Sequence, residues 1–222
     1  METAVAKSPA PPRPAPLGKR EQTKVQNREL ILEAARQVFA ELGFGATTVR
    51  DIIRATPLAS GTFYNYFKSK EEIYQAIRDD VALSIRPRLR EERVKAKSVQ
   101  EFISSTFLTF MEFVAGDQVN FRTIRHAADT TRVRLDTPEV IAGFEELRED
   151  IEKAIEEGVF PPVDADFLMA AIVGVAFEVA ERMVLRDQSD PAHAASFATA
   201  LFLGGIHALP AAAPKALSAG MV

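Results

Sequence analysis

The chain is 222 residues long, 47% apolar and 26% charged, a composition that supports a sizeable core and excludes a wholly disordered protein. It has no cysteine, which removes disulfides, thiolate nucleophiles and cysteine-based zinc sites. Its three histidines (His126, His193, His207) share no ligand spacing, so neither a metal nor another cofactor is expected. The net charge of −4 hides an asymmetry: through Lys70 eleven Lys and Arg stand against six Asp and Glu (+5), and the remainder carries −9. A basic first third on an acidic remainder suggests two jobs, one involving an anionic partner.

Residues 1–18 hold five prolines and no apolar periodicity, which reads as a disordered Pro/Ala-rich arm rather than a basic-then-apolar signal. The longest apolar runs, Phe167–Phe177 and Phe197–Leu209, fall short of the ~20 residues of a membrane span. A soluble, cytoplasmic chain with no membrane partner is expected. A first helix runs from about Asn27 to Leu42 on the stripe Ile31, Ala34, Ala35, Val38, Phe39 and Leu42, and Gly43 and Gly45 stop it. Thr48-Val49-Arg50-Asp51 has the form of a capping box, opening a short helix that Pro57 ends by Ala55 or Thr56. A third, very short helix spans Ser60 to Tyr66 or Phe67. Ser69-Lys70-Glu71-Glu72 is a second capping box; it starts a long helix striped by Ile73, Ile77, Val81, Ile85 and Leu89, with a kink or break expected near Pro87.

The remaining signals are helical too: about 98–115, about 119–128, Thr137-Pro138 to Gly158, Asp164 to Arg186, and Asp190-Pro191 to about Leu209. No alternating strand pattern occurs. The fold class is all-α with roughly nine helices.

Two short helices joined by a tight turn and buttressed by a preceding one follow the plan of a helix-turn-helix DNA reader. At 100° per residue Phe63 and Phe67 share an inner face. Gly61, Thr62 and Asn65 lie opposite, and Tyr64 and Tyr66 flank them with hydroxyls able to reach phosphates. No acidic residue occurs from Leu58 to Lys70. That pattern suits a major groove, where phosphate contacts position and base-edge contacts specify. The candidate DNA-binding residues are Thr48, Arg50, Gly61, Thr62, Tyr64, Asn65, Tyr66, Lys68 and Lys70.

Thr47-Thr48-Val49-Arg50-Asp51-Ile52, followed by Gly61-Thr62-Phe63-Tyr64-Asn65-Tyr66-Phe67-Lys68-Ser69-Lys70-Glu71, resembles the DNA-binding domain of tetracycline-repressor (TetR) type regulators, over about Asn27 to Ile77. The resemblance implies a three-helix DNA-binding domain (19–68), a connecting helix (69–97) and a helical ligand-binding and dimerisation domain (98–222). It further implies phosphate contacts for Thr48 and Lys70, and DNA contacts for Thr62, Tyr64, Asn65 and Tyr66 on a helix in the major groove. The chain departs from the pattern at Pro57, where the turn often carries glycine.

Eleven of the fifteen phenylalanines lie beyond residue 100. The helix from Ser98 carries two apolar stripes: Ile103, Phe107, Phe110, Val114, and Phe102, Thr106, Thr109, Phe113. Burial on two sides fits either core packing or a pocket wall; the resemblance favours a pocket for a small, largely apolar effector. Its candidate wall is Phe102, Phe107, Phe110, Met111, Phe121, Phe144, Met169 and Phe177, with Arg122, Arg125, His126 and Glu178 as the polar end. Small residues at Ala170 and Gly174, and at Ala194 and Ala198 with Leu201 and Gly205, mark the last two helices as a homodimer seam. Glu145, Glu149, Glu152 and Glu156 read as a solvated acidic face. The expectation is a ligand-responsive regulator, a repressor on a palindromic double-stranded DNA operator, and not an enzyme. An all-helical enzyme or lipid carrier, and an effector-independent DNA-binding protein, stay open as alternatives. A gel shift with the chain's own upstream DNA addresses the first, and thermal shift against metabolites the second.

Overall fold

Capping side chains and two left-handed glycines set the ends of the helices. In the computed structural model residues 18–122, 125, 137–186 and 189–205 are described. The arm expected over residues 1–17, His126 and the end of the last expected helix lie outside them. Among the described residues are eight helices: α1 (Lys19–Leu42), α2 (Val49–Arg54), α3 (Ser60–Phe63), α4 (Lys70–Lys95), α5 (Val99–Gly116), α6 (Pro138–Glu156), α7 (Ala165–Val184) and α8 (Pro191–Gly205). A further helical stretch covers 118–122, and no described residue is in a strand. The chain is all-helical, as its periodicity indicates. No described helix is long and apolar enough to cross a membrane.

Three boundaries differ from those expected. α1 begins two turns earlier, because residues 19–26 are all exposed and leave no apolar period to read. It ends at Gly43 (φ +75°), whose N–H donates to the Phe39 carbonyl at 2.9 Å, a conformation that favours glycine. α3 is α-helical only over four residues. It unwinds through turns in which the Tyr66 N–H donates to the Phe63 carbonyl at 2.9 Å. Ser69 must already be extended (φ −146°) to cap α4, so the chain leaves the helical conformation before Phe67. α4 runs without a break through Pro87. Leu83, Ser84, Pro87 and Arg88 all lie on its exposed side, where water can take the one carbonyl that proline leaves without a donor.

Two cores result. The first joins α1, α2, α3 and the start of α4 through Ile31, Leu32, Phe39, Ile52, Phe63 and Ile77, all but fully buried. The second joins α5 to α8 through Phe102, Phe107, Met111, Ile151, Ile172 and Ala198. Burial at about 1.5–3 kcal/mol per large apolar side chain is the main favourable term that holds each set of helices together. α4 serves both: its first two turns belong to the first core and its second half packs on α5 and α6.

Candidate nucleic-acid interface and effector cavity

The pair α2–α3 is fixed by local polar bonds. The Thr48 hydroxyl accepts from the Asp51 N–H at 3.3 Å, and the Asp51 carboxylate accepts from the Thr48 N–H at 2.9 Å and its hydroxyl at 2.6 Å. Those bonds, the hydroxyl's first, hold the Asp51 carboxyl below its ordinary range. The turn around Pro57 is built on Thr56, whose hydroxyl donates to the Ile53 carbonyl at 2.9 Å and accepts from the Leu58 N–H at 3.3 Å. Ala55 (φ −81°) is right-handed and Ala59 (φ −65°) extended, so neither end of the turn asks for glycine.

On α3 and the turn after it, Phe63 and Phe67 are buried, whereas Gly61, Tyr64 and Asn65 are exposed and Thr62 is half-buried. A Cβ at Gly61 would meet nothing within 4 Å, so packing inside the chain does not call for glycine there. Arg50 and Lys68 are exposed on the same unit, and the Lys68 ammonium donates to the Tyr64 carbonyl. The Tyr66 hydroxyl accepts from the Asn27 side-chain amide at 3.2 Å, which ties the end of α3 to α1. The Lys70 ammonium donates to the carbonyls of Phe44 (2.7 Å), Thr47 (2.8 Å) and Gly45 (3.2 Å) and lies 4.7 Å from the Phe44 ring centre. A lysine has three donors, and all three are directed into the α1–α2 loop. Behind this unit Arg28 grips Asp80 with two bonds of 3.2 and 3.1 Å, fastening α1 to α4.

α4, α5, α6 and α7, with residues 117–121, line a half-open cavity of about 180 Å³. Of the wall expected from sequence, Phe107, Phe110, Phe121, Phe144 and Phe177 line it. The Phe110 ring meets Phe177 edge-on at 5.2 Å, and Phe121 stacks on Phe177 at 6.2 Å. The other expected lining residues are elsewhere. Phe102 packs edge-on against Phe160 at 5.1 Å, Met111 is fully buried in the second core, and Met169 packs on its edge. The expected polar end is a separate cluster: Arg125 bonds Glu178 and Glu181 at 2.6 Å each, and Arg122 donates to the Val184 carbonyl. His126 lies outside the described residues.

The cavity's own polar groups come from α4 and α6, and from Thr106, Asp117 and Asn120. Arg78, Arg86 and Arg93 of α4 line it beside Ala82, Ile85 and Leu89. Arg86 donates to Glu139 at 2.8 Å and Glu146 at 2.6 Å, and its stem crosses Gly143, where a Cβ would come within 3.3 Å of it. Arg93, buried, donates to Asp150 at 2.7 Å. The bonds from Arg86 hold the Glu146 carboxyl below its ordinary range. A signal for this seam was present: residues 78, 82, 85, 89 and 93 recur at helical steps, so arginines share the apolar face of α4.

The comparisons with known proteins agree with this geometry. Residues 31–77 match the family model for bacterial regulatory proteins of the tetR family. The chain is 26% identical to a TetR-family transcriptional regulator from Syntrophomonas wolfei, covering 82% of this chain and 97% of that one at a TM-score of 0.67. Residues 31–77 carry the DNA-binding domain of the tetR family of transcriptional regulators. The chain is also 24% identical over 147 residues to YhgD, an uncharacterised HTH-type transcriptional regulator of Bacillus subtilis (strain 168), covering 64% of this chain and 76% of YhgD. The fold of a Bacillus subtilis FadR solved in complex with stearoyl-CoA is similar too, at TM-score 0.70 and 23% identity over 81% of this chain and 99% of that one. The TetR family comprises DNA-binding regulators, not enzymes.

The small-residue seam divides in two. Ala194 and Ala198 are buried inside the subunit, where α8 packs closely on α5. Small side chains there bring two helices of one chain together, which corrects their assignment to a subunit interface. Ala170, Gly174, Leu201 and Gly205 face outward, joined by Phe167 (78% exposed) and Phe197 (59%). A search for small residues misses those two rings; the near-continuous apolarity of α7 and α8 was the signal for them. Glu145, Glu149 and Glu156 are exposed and Glu152 accepts from Arg148 at 2.8 Å, the solvated face expected.

Proposed function

We propose that this chain is a TetR-family repressor that binds a palindromic operator as a homodimer and is released by a small, largely apolar effector. The observation that carries the DNA reading is the two-sided α3 segment: Phe63 and Phe67 anchor it, while Gly61, Tyr64 and Asn65 stand exposed on a surface without an acidic residue from Leu58 to Lys70. In this reading Asn65 and Thr62 face base edges, Thr48, Arg50, Tyr64 and Lys68 face phosphates, and Tyr66 and Lys70 position the unit through Asn27 and the α1–α2 loop. The exposed faces of α7 and α8, with Phe167, Gly174, Phe197 and Leu201, support an isologous dimer, since apolar patches of this kind mark interaction surfaces. Residues 19–68, 69–97 and 98–222 then form the reading head, the connecting helix and the effector and dimer domain.

The cavity supports an apolar effector, and the α4 side of its wall supplies the route to the reading head. Its volume suits a body far smaller than the stearoyl-CoA seen with the Bacillus subtilis relative. A ligand shifts this equilibrium only by its differential affinity for the two states. Selection of bound fragments from random double-stranded DNA tests the proposal. Enrichment of a two-fold symmetric site is expected, and recovery of only unrelated sequences would sink it.

A further inference from the structure

One buried acceptor in the cavity wall has no hydrogen-bond donor. Asn120 lies on the helical stretch over 118–122, where the Asp117 carboxylate accepts from the Asn120 N–H at 3.0 Å. That bond fixes the backbone. The side chain lines the cavity, the residue is 8% exposed, and Oδ1 is buried with no hydrogen-bond partner. A buried amide oxygen without a donor is costly and calls for an explanation. Neighbouring polar groups do not supply the donor: Arg78 makes no bond to it, Arg86 bonds Glu139 and Glu146, Arg93 bonds Asp150, and the Thr106 hydroxyl donates to the Phe102 carbonyl at 2.6 Å.

Resting on the effector reading above, the geometry points to a ligand with a compact aromatic body that donates a neutral hydroxyl to Asn120 Oδ1. Size comes first. A cavity of about 180 Å³ is slightly larger than an engineered apolar cavity of about 150 Å³ that admits benzene. The walls come second: Phe110, Phe121 and Phe177 already stand at ring–ring spacing, so a further ring finds both edge and face partners. Charge comes third. Arg86 is paired with Glu139 and Glu146 and Arg93 with Asp150, and Arg78 lies over the Tyr74 ring, so these guanidiniums are engaged within the protein. An anion would also face the amide oxygen, a hydrocarbon would leave it without a donor, and a neutral hydroxyl satisfies it.

Calorimetric titration of the full chain with p-cresol, p-xylene and p-toluate tests this: the first two match in size, and the third carries a carboxylate on the same ring at two heavy atoms more. p-Cresol is expected to bind about ten-fold or more tightly than p-xylene, the effect of one hydrogen bond, and p-toluate not at all. In Asn120→Leu, which replaces the amide with an apolar group of similar size, the preference should shrink to about three-fold or less, while the melting temperature does not fall. Asn120→Ala gives the same comparison should the leucine variant not fold. Equal binding of p-cresol and p-xylene to the wild type, or a preference that survives in both variants, overturns the role of Asn120 and leaves the cavity an apolar effector site. Tightest binding by p-toluate overturns the neutral-donor class. Binding by none of the three overturns both this inference and the effector reading of the cavity.

Discussion

Replacing Lys70 separates two roles that its place in the motif allows. The ammonium sits among three carbonyls at 2.7, 2.8 and 3.2 Å and over the Phe44 ring. Phe44 and Thr47 are buried, at 3% and 2% exposure, so water reaches their part of the loop poorly. Hydrogen bonds to a charged group contribute about 1.5–3 kcal/mol each. Because Gly45 is exposed and its carbonyl can turn to water, Lys70→Met should cost about 2–4 kcal/mol in all. Lys70→Arg should cost nearly as much, since a planar fork cannot reproduce three diverging donors. Thr48 and α2 follow directly on this loop, so DNA affinity should fall in both variants through lost positioning. The assay is urea unfolding together with fluorescence anisotropy of a labelled duplex across a range of salt. A positioning lysine leaves the slope of log K against log salt unchanged. A slope that drops by about 0.9 in Lys70→Met, with full rescue by Lys70→Arg and no loss of stability, would refute the positioning role and make Lys70 a phosphate contact.

Asn65→Ala should relax preference at one base position by about 1–3 kcal/mol, read by competition binding with single-base variants of the selected site; equal weakening on specific and unrelated DNA removes it from the base readers. Gly174→Leu should convert a dimer to monomers in sedimentation at micromolar concentration without lowering the melting temperature of the subunit. A Cβ at Gly174 meets nothing within 4 Å inside the chain, and overpacking an interface typically costs ~1–3 kcal/mol. The Glu146 carboxyl, depressed by Arg86, adds stability that is complete above its unfolded pKa and lost as pH falls through the folded value. The gap in melting temperature between wild type and Glu146→Gln should therefore hold from pH 8 to 5 and close below about pH 4.

The reading head was legible because its signals are local. A capping box needs only residues 48 and 51, and the inner face of α3 needs only Phe63 and Phe67. The exposed start of α1 was not legible, since apolar periodicity reports burial and residues 19–26 have none. For the cavity, the phenylalanines of α5, α6 and α7 and of the 118–122 stretch stood out, whereas the polar set did not. Arg125 and Glu178 looked equivalent to Arg86 and Glu139 as residue types; only the crossing of α4 over α6 decides which pair borders the cavity. The half of the small-residue seam at Ala194 and Ala198 was misplaced for a related reason. Ala194 and Ala198 do mark a close helix crossing, but sequence carries no record of whether the other helix belongs to the same chain.

Pro87 gives α4 a mechanical character of its own. The helix is clamped near one end of its middle span by Arg28 on Asp80 and near the other by Asp150 on Arg93. At 1.5 Å per residue these clamps stand about 20 Å apart. Between them Ala82, Ile85, Arg86 and Leu89 border a hollow instead of a packed core. Within that span the ladder of backbone bonds lacks one rung, on the side turned to solvent. α4 is thus a beam thinned at its midpoint, over the hollow that it borders. Arg86 hangs α6 from that same point through Glu139 and Glu146. Any load on the walls of the hollow therefore acts at midspan, where a given force produces the largest swing of the head carried at the beam's end.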